Sequence, residues 1–354
     1  MILFKPAINV TSGLGHLRRC ISLAEAMKDK FHTDIIIPFN NKESIDLIEN
    51  FNLAWLPVDT NLDPSEEVGK YPNSTIAVII DMADQVNRKQ PQYIADYIKA
   101  LHSRSIRSIV IDSPPPESLY FDDMPIVKMV IRPYDVQNHN CPNWGEAICS
   151  GPKYIIIGQE YDDSVHSSYQ KRAENILITF GGSDPQNITE TICAFLKHAY
   201  ELDNFKFQII LGQYFSNHRK MQVKEKYIDD QRYSFYESVP SLKPFFDNAL
   251  VAIIGSGAAS RYEASSCGTP ALITAIEPLH NVFIDYHQEY GSSINLGYYK
   301  QLKEKVFIQK LYDLIFNPEL RLYMNENCCN LDLSGGLARV VEQIEKVVIK
   351  ENHD

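Results

Sequence analysis

Short apolar runs alternate with amphipathic stretches along most of the chain, and this alternation predicts strands followed by helices. In the first half, strands are predicted at 2–8, 34–39, 75–81, 107–112 and 126–131, and helices at 17–30, 42–50 and 91–103. Strands that alternate with helices indicate a mostly parallel sheet that binds ligands at the C-terminal ends of its strands.

The pattern weakens over 133–158, where Pro, Asn, Gly and Cys accumulate, and then restarts. Strands are predicted at 175–180, 205–211, 233–239, 250–254 and 271–275, and helices at 186–200, 258–267, 280–289, 303–316 and 337–349. We therefore predict an α/β protein of two Rossmann-like, doubly wound domains, 1–157 and 158–354, with the last helices closing the second domain.

Composition narrows the class of protein. The chain has 354 residues, 44% of them hydrophobic, which suits two domains with large cores. A net charge of −11 argues against a nucleic-acid partner. Seven cysteines without a C-x-x-C pair indicate reduced thiols in a cytoplasmic protein, with no metal site. We find neither a signal-peptide layout nor an apolar run of the ~20 residues that span a bilayer.

A glycine-rich turn that contains Gly13, Gly15 and His16 lies between the first predicted strand and helix. Glycines let a ligand approach the backbone amides, and the helix start adds a partial positive charge. Arg18 occupies the third glycine position of a dinucleotide-binding fingerprint, so that interpretation is weak. An imidazole here suits a general base near neutral pH, and the alternative is a helix cap.

A second turn, Gly181-Gly182-Ser183-Asp184-Pro185, follows a predicted strand in the second half. Ser, Asp and Pro at a helix start are typical of capping. In one interpretation the turn only caps the next helix. In the other, the amides of Gly181 and Gly182 and the hydroxyl of Ser183 contact a phosphate or a sugar.

The strongest local signal is a third turn, in which Gly255, Ser256, Gly257 and Ala258 connect an apolar strand to a helix. A diphosphate fits such a helix N-terminus. Glu263 lies further along the helix, where its carboxylate either accepts both ribose hydroxyls or is solvated.

Three further polar residues lie where ligands bind in parallel sheets. Asn281 lies at the start of a predicted helix and either caps it or contacts substrate hydroxyl or amide groups. Asp81 and Asp112 each end an apolar strand, and each either faces a ligand or caps the segment that follows.

Together these motifs resemble the UDP-sugar hydrolase of pseudaminic acid biosynthesis and its spore-coat polysaccharide relatives. Residues 13–20 resemble that family's G-x-G-H-x-x-R-C motif, and 180–185 match its F-G-G-x-D-P motif. Residues 255–263 with 268–270 resemble the nucleotide-binding signature shared with the lipid-II-forming N-acetylglucosaminyltransferase.

The resemblance implies a GT-B architecture, in which two Rossmann-like domains hold a UDP-sugar in a cleft, without metal or cofactor. His16 would be the base that activates water, and Asn281 would contact the substrate. Contacts to the nucleotide and the sugar would come from Gly13, Gly15, Gly181, Gly182, Ser183, Gly255, Ser256, Gly257, Ala258 and Glu263.

Departures from the family pattern affect mainly the sugar side. Lys5 and Pro6 replace an arginine near the first strand end, Asp81-Met82-Ala83 replaces D-H-Y, and Asn281-Val282 replaces N-Q. The nucleotide-side motifs persist, so the class of nucleotide-sugar enzyme is better supported than the particular hydrolase.

Three functions follow from the resemblance. The first is metal-independent, inverting hydrolysis of a UDP-activated 2,4-diacetamido-2,4,6-trideoxyhexose, for nonulosonic acid or surface-polysaccharide biosynthesis. The alternative is a GT-B glycosyltransferase of surface-glycan assembly, which would contact a membrane surface if its acceptor were lipid-linked. The third is a non-catalytic protein that binds a nucleotide-sugar. The sequence leaves open the sugar, a nucleotide other than UDP, the acceptor and the oligomeric state.

Overall fold

The computed structural model describes residues 1–8, 14–39, 41–82, 91–113, 118–134, 143–162, 169, 172–237 and 239–349. The chain divides into two compact units: Met1–Gln159 together with Gly335–Asp354, and Glu160–Ser334. The first boundary lies two residues from the predicted one. The C-terminal segment differs, because the sequence pattern assigned it to the second domain and the structure includes it in the first unit.

The first unit is built on a seven-stranded parallel sheet in the order β3-β2-β1-β4-β5-β6-β7. Its strands are β1 (Ile2–Pro6), β2 (Thr33–Pro38), β3 (Ala54–Val58), β4 (Ala77–Asp81), β5 (Arg107–Ile111), β6 (Val127–Arg132) and β7 (Gly145–Ser150). Its helices are α1 (Gly15–Met27), α2 (Lys42–Asn50), α3 (Pro64–Gly69), α4 (Pro91–Ser103) and, at the C-terminus of the chain, α12 (Gly336–Ile349).

The second unit is built on a six-stranded parallel sheet in the order β10-β9-β8-β11-β12-β13. Its strands are β8 (Asn175–Thr179), β9 (Lys206–Leu211), β10 (Tyr233–Glu237), β11 (Val251–Gly255), β12 (Ala271–Ala275) and β13 (Ser293–Tyr298). Its helices are α5 (Ile188–Leu196), α6 (Asn217–Lys226), α7 (Lys243–Asn248), α8 (Ala258–Ser266), α9 (Asn281–Glu289), α10 (Glu304–Ile315) and α11 (Pro318–Cys329).

Central strands in both sheets are buried on both faces, which is why they read as continuous apolar runs. Elements missed by the sequence pattern have weaker signals. Strands β3 and β7 are partly exposed, and β3 contains Pro57. Helix α6 buries only Lys220 and Val223. Helices α3, α7 and α11 and strand β13 were also missed. Tertiary context therefore decides these elements.

Helix α12 belongs to the first unit because its apolar face packs on α1 and β6. Leu337, Val340 and Ile344 on that face are buried. An ion pair also joins Glu345 of this helix to Lys30 just after α1, with Lys30 Nζ 2.7 Å from Glu345 Oε1. Helical periodicity predicted α12 correctly, but periodicity does not specify which sheet a helix covers.

In each sheet there is one point from which strands are added on both sides, so that the order of successive strands reverses there. In the first unit, β2 and β3 extend from one side of β1, whereas β4 to β7 extend from the other. In the second unit the corresponding point lies between β8 and β11. Connections diverge there and leave a crevice outside the C-terminal strand ends, which is the usual ligand position in open parallel sheets.

Candidate functional site

His16 pairs with Asp81 at the point where the first sheet changes direction. His16 is the second residue of α1, which follows β1, and Asp81 is the last residue of β4. His16 Nδ1 lies 2.7 Å from Asp81 Oδ1, and both side chains are buried. His16 therefore does not cap the helix, and the capping interpretation of the sequence is wrong for this residue. Its ring is held by a carboxylate 65 residues away in the chain.

The Asp81 contact fixes the tautomer of His16. Arg19 Nη2 also lies 2.9 Å from His16 Nδ1. The contact with the carboxylate is the shorter one, and two lone pairs at 2.7 Å would repel, so we assign the proton to Nδ1, which donates it to Asp81. Nε2 then carries the lone pair. A histidine oriented by a carboxylate in this way can accept a proton at Nε2, as in catalytic triads.

Arg19 holds the other side of the Asp81 carboxylate. One turn along α1 from His16, its Nε donates to Asp81 Oδ2 and its Nη2 to Oδ1, each at 2.8 Å. Its Nη1 donates to the Tyr134 hydroxyl at 3.0 Å. Burial alone would raise the pKa of Asp81, but Arg19 and His16 outweigh it and lower that pKa to about 2. Asp81 is therefore ionised near neutral pH.

Asp112 directly follows β5, the strand that pairs with β4, but its contacts differ from those of Asp81. Its Oδ1 accepts hydrogen bonds from the backbone N–H of Ser113 and Leu119, at 2.9 and 2.7 Å. Its Oδ2 accepts from the Ser118 hydroxyl at 2.8 Å and from Trp144 Nε1 at 3.3 Å. Asp112 thus holds the segment that follows it, as one sequence interpretation has it, whereas the Asp81 carboxylate contacts His16 and Arg19.

In the second unit, the turn after β11 is joined to the loop after β12. Ser256 is buried, and its Oγ accepts the Ile276 backbone N–H at 3.2 Å and lies 2.7 Å from His280 Nδ1. Gly257 precedes α8 without a side-chain cap and is exposed. The first amides of a helix have no partner within it, so this turn offers N–H donors to an anion.

Asn281 and Glu263 lie near this turn in the chain but differ in setting. Asn281 is the first residue of α9, and its Nδ2 donates to the Pro278 carbonyl at 3.1 Å. It provides no side-chain cap for α9, so the capping interpretation is wrong. Glu263 is half-buried within α8, near Tyr161.

The Gly181–Gly182 turn follows β8, which neighbours β11 at the point where the second sheet changes direction. Asp184 caps α5, because its carboxylate accepts the N–H groups of Ile188 and Thr189 at 3.0 and 2.9 Å. The helix starts at Ile188 rather than at 186. Capping therefore belongs to Asp184, while Gly181 is exposed and Gly182 and Ser183 are half-buried.

Within each unit, the structure groups many of the predicted residues and adds several. Gly15 and His16 lie at the start of α1, while Gly13 lies outside the described residues. Gly255, Ser256, Gly257 and Ala258 run from the last residue of β11, the strand neighbouring β8, to the first residue of α8. Sequence reasoning gave no role to Arg19, Tyr134 and His280. Two signals could have indicated Arg19: it is the arginine of the G-x-G-H-x-x-R-C motif, and its three-residue spacing from His16 puts both on one helix face.

Neither a metal-binding cluster nor a membrane-spanning helix is present among the described residues. No group of three or more His, Cys, Asp or Glu side chains in that part of the chain could hold a metal ion. Among the same residues, no helix is both long and apolar enough to cross a membrane.

Comparison with known proteins identifies distant relatives. No family model matches the chain. The chain is 25% identical over 316 residues to the uncharacterized protein MJ1062 of Methanocaldococcus jannaschii, covering 85% of this chain and 60% of that protein. It is 22% identical over 205 residues to the spore coat polysaccharide biosynthesis protein SpsG of Bacillus subtilis, covering 58% of this chain and 60% of that protein. The alignments thus span about 60% of the length of these curated relatives.

Solved structures share the fold over nearly the whole chain. MurG of Acinetobacter baumannii matches with a TM-score of 0.67 at 13% identity, covering 98% of each chain. The spinosyn forosaminyltransferase SpnP matches at 0.65 and 14%, again covering 98% of each. UGT2 of Phytolacca americana, complexed with UDP-2-fluoro-glucose and pterostilbene, matches at 0.61 and 10%, covering 97% of this chain and 98% of that one. These likenesses confirm the predicted GT-B fold.

Proposed function

We propose that this chain is a nucleotide-sugar-dependent glycosyltransferase of glycan biosynthesis in which His16 is the general base. The observation that carries the proposal is the 2.7 Å contact between His16 Nδ1 and Asp81. With that proton donated to the carboxylate, Nε2 accepts the proton of an acceptor hydroxyl. Asp81 stabilises the imidazolium that forms.

The reaction is a single displacement at the anomeric carbon of the donor sugar. The acceptor oxygen forms a bond to this carbon while the bond from the carbon to the diphosphate breaks. The electron pair leaves with the nucleoside diphosphate, and the hydroxyl proton passes to His16. One displacement inverts the anomeric configuration.

Donor binding is assigned to the second unit. The uncapped start of α8, with Gly255, Ser256, Gly257 and Ala258, receives the diphosphate and stabilises its charge as it leaves. Glu263 accepts the ribose hydroxyls. Asn281, Gly181, Gly182 and Ser183 contact the sugar or its phosphate.

The names of similar proteins support the donor and the product class. One solved neighbour is a forosaminyltransferase, and another was complexed with UDP-2-fluoro-glucose. SpsG is named for spore-coat polysaccharide biosynthesis. We therefore assign a UDP-sugar as donor and a surface glycan as product.

Hydrolysis is the second candidate, with water in place of the acceptor hydroxyl. The motifs at 13–20 and 180–185 favour it, since they follow the UDP-sugar hydrolase of pseudaminic acid biosynthesis. Its substrate would be a UDP-linked 2,4-diacetamido-2,4,6-trideoxyhexose. His16 and the α8 start keep the same roles in both candidates.

One NMR experiment tests the base and distinguishes the two acceptors. UDP-linked sugars are incubated with the wild type, with His16→Ala, and with His102→Ala as a histidine control whose ring contacts Ser108. Release of UDP only when a sugar hydroxyl acceptor is added identifies a transferase. Release of UDP and free sugar in water alone identifies the hydrolase. Turnover by His16→Ala equal to that of the wild type would refute the base.

A further inference from the structure

The Gly181–Gly182 turn is held by a side chain that none of the sequence motifs includes, Arg219 of α6. Its Nε and Nη2 lie 2.6 and 2.7 Å from the Glu190 carboxylate. Nη2 also donates to Asp184 Oδ2 at 2.9 Å. Nη1 donates to the backbone carbonyls of Ser183 and Asp184, at 3.0 and 2.8 Å. The guanidinium also lies on the ring of Phe215, 3.8 Å from its centroid.

This arrangement engages the whole guanidinium. An arginine has five N–H donors, and these five hydrogen bonds account for all of them. Arg219 therefore acts on a ligand only through the turn that it holds. Two of its five acceptors are carbonyls of the turn itself, so its position fixes the backbone directly.

The turn needs such support because its backbone is strained. Gly181, Asp184 and Asn187 have positive φ angles of 82, 36 and 55°. Residues other than glycine adopt this region uncommonly and hold it where the surrounding structure imposes it. On the other side of the turn, the Tyr214 N–H donates to the Gly182 carbonyl at 2.9 Å. A Cβ on Gly212 would overlap the carbonyls of Gly181 and Gly182.

The turn also lies where ligands bind in this type of sheet. It follows β8, and β8 and β11 flank the point where strand addition changes direction. A Cβ built on Gly255 at the end of β11 would lie 3.4 Å from Phe180 Cδ1, at the start of the turn. The two glycine turns therefore occupy adjacent strand ends, where the crevice of the sheet opens.

We propose that Arg219 is a positioning residue for the nucleotide-sugar donor, because it holds the Gly181–Gly182 turn in the conformation that receives the donor. The proposal rests on the proposed function, which assigns that donor to the second unit. It adds a residue that contacts no substrate and acts by preorganising backbone amides.

Arg232 provides a matched control in the same unit. It hydrogen bonds the Asp230 carboxylate at 2.8 and 3.0 Å and the Ala199 carbonyl at 3.0 Å, and it lies over the ring of Phe207. Its side chain is 12% exposed, against 17% for Arg219. It directly precedes β10, so it lies at the N-terminal edge of the sheet, opposite the glycine turns.

The test measures UDP binding by calorimetry and thermal unfolding for Arg219→Gln, Arg219→Lys and Arg232→Gln. We expect Arg219→Gln to weaken UDP binding about tenfold, or about 1.4 kcal/mol. Arg219→Lys keeps the charge but not the planar fork, so it should keep the fold and still bind UDP several times more weakly. Arg232→Gln should unfold at a lower temperature and bind UDP like the wild type.

Two results would overturn the proposal, and they are distinguishable. If the wild type binds UDP and both Arg219 variants bind it as tightly as Arg232→Gln does, the positioning role is wrong while the proposed function stands. If the wild type binds neither UDP nor another nucleoside diphosphate, the proposed donor site fails, and the role of Arg219 with it.

Discussion

Replacing Asp81 by asparagine tests the orientation of His16 most directly. The two side chains have the same shape, so the substitution removes one negative charge and one acceptor oxygen with little change in volume. The 2.7 Å N–O contact puts the two charge centres about 4 Å apart. At an effective dielectric constant of 20, such charges attract by about 4 kcal/mol.

That energy sets the expected loss of rate. Each 1.36 kcal/mol changes a rate about tenfold, so full loss of the attraction would lower kcat about a thousandfold. The imidazolium is only partly formed in the transition state, and we therefore expect a loss of about 10²–10³. Because Asp81 contacts His16 and the proposed donor contacts come from other residues, KM for the nucleotide-sugar should change little.

Stability needs a separate measurement, because Arg19 loses its carboxylate in this variant. Removing one partner of a buried ion pair costs roughly 3–5 kcal/mol. Asp112→Asn is the matched control, since Asp112 is equally buried and lies near Arg132 but holds a loop instead of a histidine. Initial rates of UDP release at saturating donor, measured below the unfolding transition, separate the two effects.

Two results would refute the orienting role. One is a kcat for Asp81→Asn within tenfold of that of Asp112→Asn. The other comes from the double variant: if Asp81 acts only through His16, His16→Ala with Asp81→Asn should be no slower than His16→Ala alone. A further large loss in the double variant would show that Asp81 acts independently of His16.

Three other predictions concern Asp81, the Gly181–Gly182 turn and Ser256. The pKa of Asp81 falls from 3.8 to about 2 on folding, which contributes about 2 kcal/mol to the free energy of unfolding above pH 4, and this contribution is lost as the pH falls towards 2. Acid unfolding curves of the wild type and Asp81→Asn would check this, and equal slopes of unfolding free energy against pH in that window would contradict it. Gly212→Ala should destabilise the protein by about 1–3 kcal/mol and weaken UDP binding, because the new Cβ overlaps two carbonyls of the Gly181–Gly182 turn. Gly69→Ala is the control, since its new Cβ has open space and the change should be neutral or slightly stabilising. Ser256→Ala removes the buried acceptor of the Ile276 N–H and should cost about 1–3 kcal/mol in denaturant unfolding, against well under 1 for Ser103→Ala on α4.

Much of the fold was predictable from the sequence because its signals are local. Apolar runs such as 107–112 and 271–275 correspond closely to buried strands, and the helix predicted at 42–50 has the same bounds in the structure. Strands β3 and β7 were missed because half-exposed edge strands lack a continuous apolar run. A local pattern also could not assign α12 to the first unit, since its apolar face suits any sheet.

The candidate site shows the same division. The sequence by itself determined that His16 and the Gly255–Ala258 turn lie at helix starts and that the Gly181–Gly182 turn follows a strand, because glycine, capping residues and apolar periodicity act over a few residues. Only the tertiary structure decided that Asp81 orients His16 while Asp112 holds a loop, and that Asp184 rather than Ser183 caps α5. It also decided that Arg219 supports a turn 35 residues away. These roles depend on which strand ends become neighbours in the sheet, and strand order is set by long-range packing that no short stretch of sequence encodes.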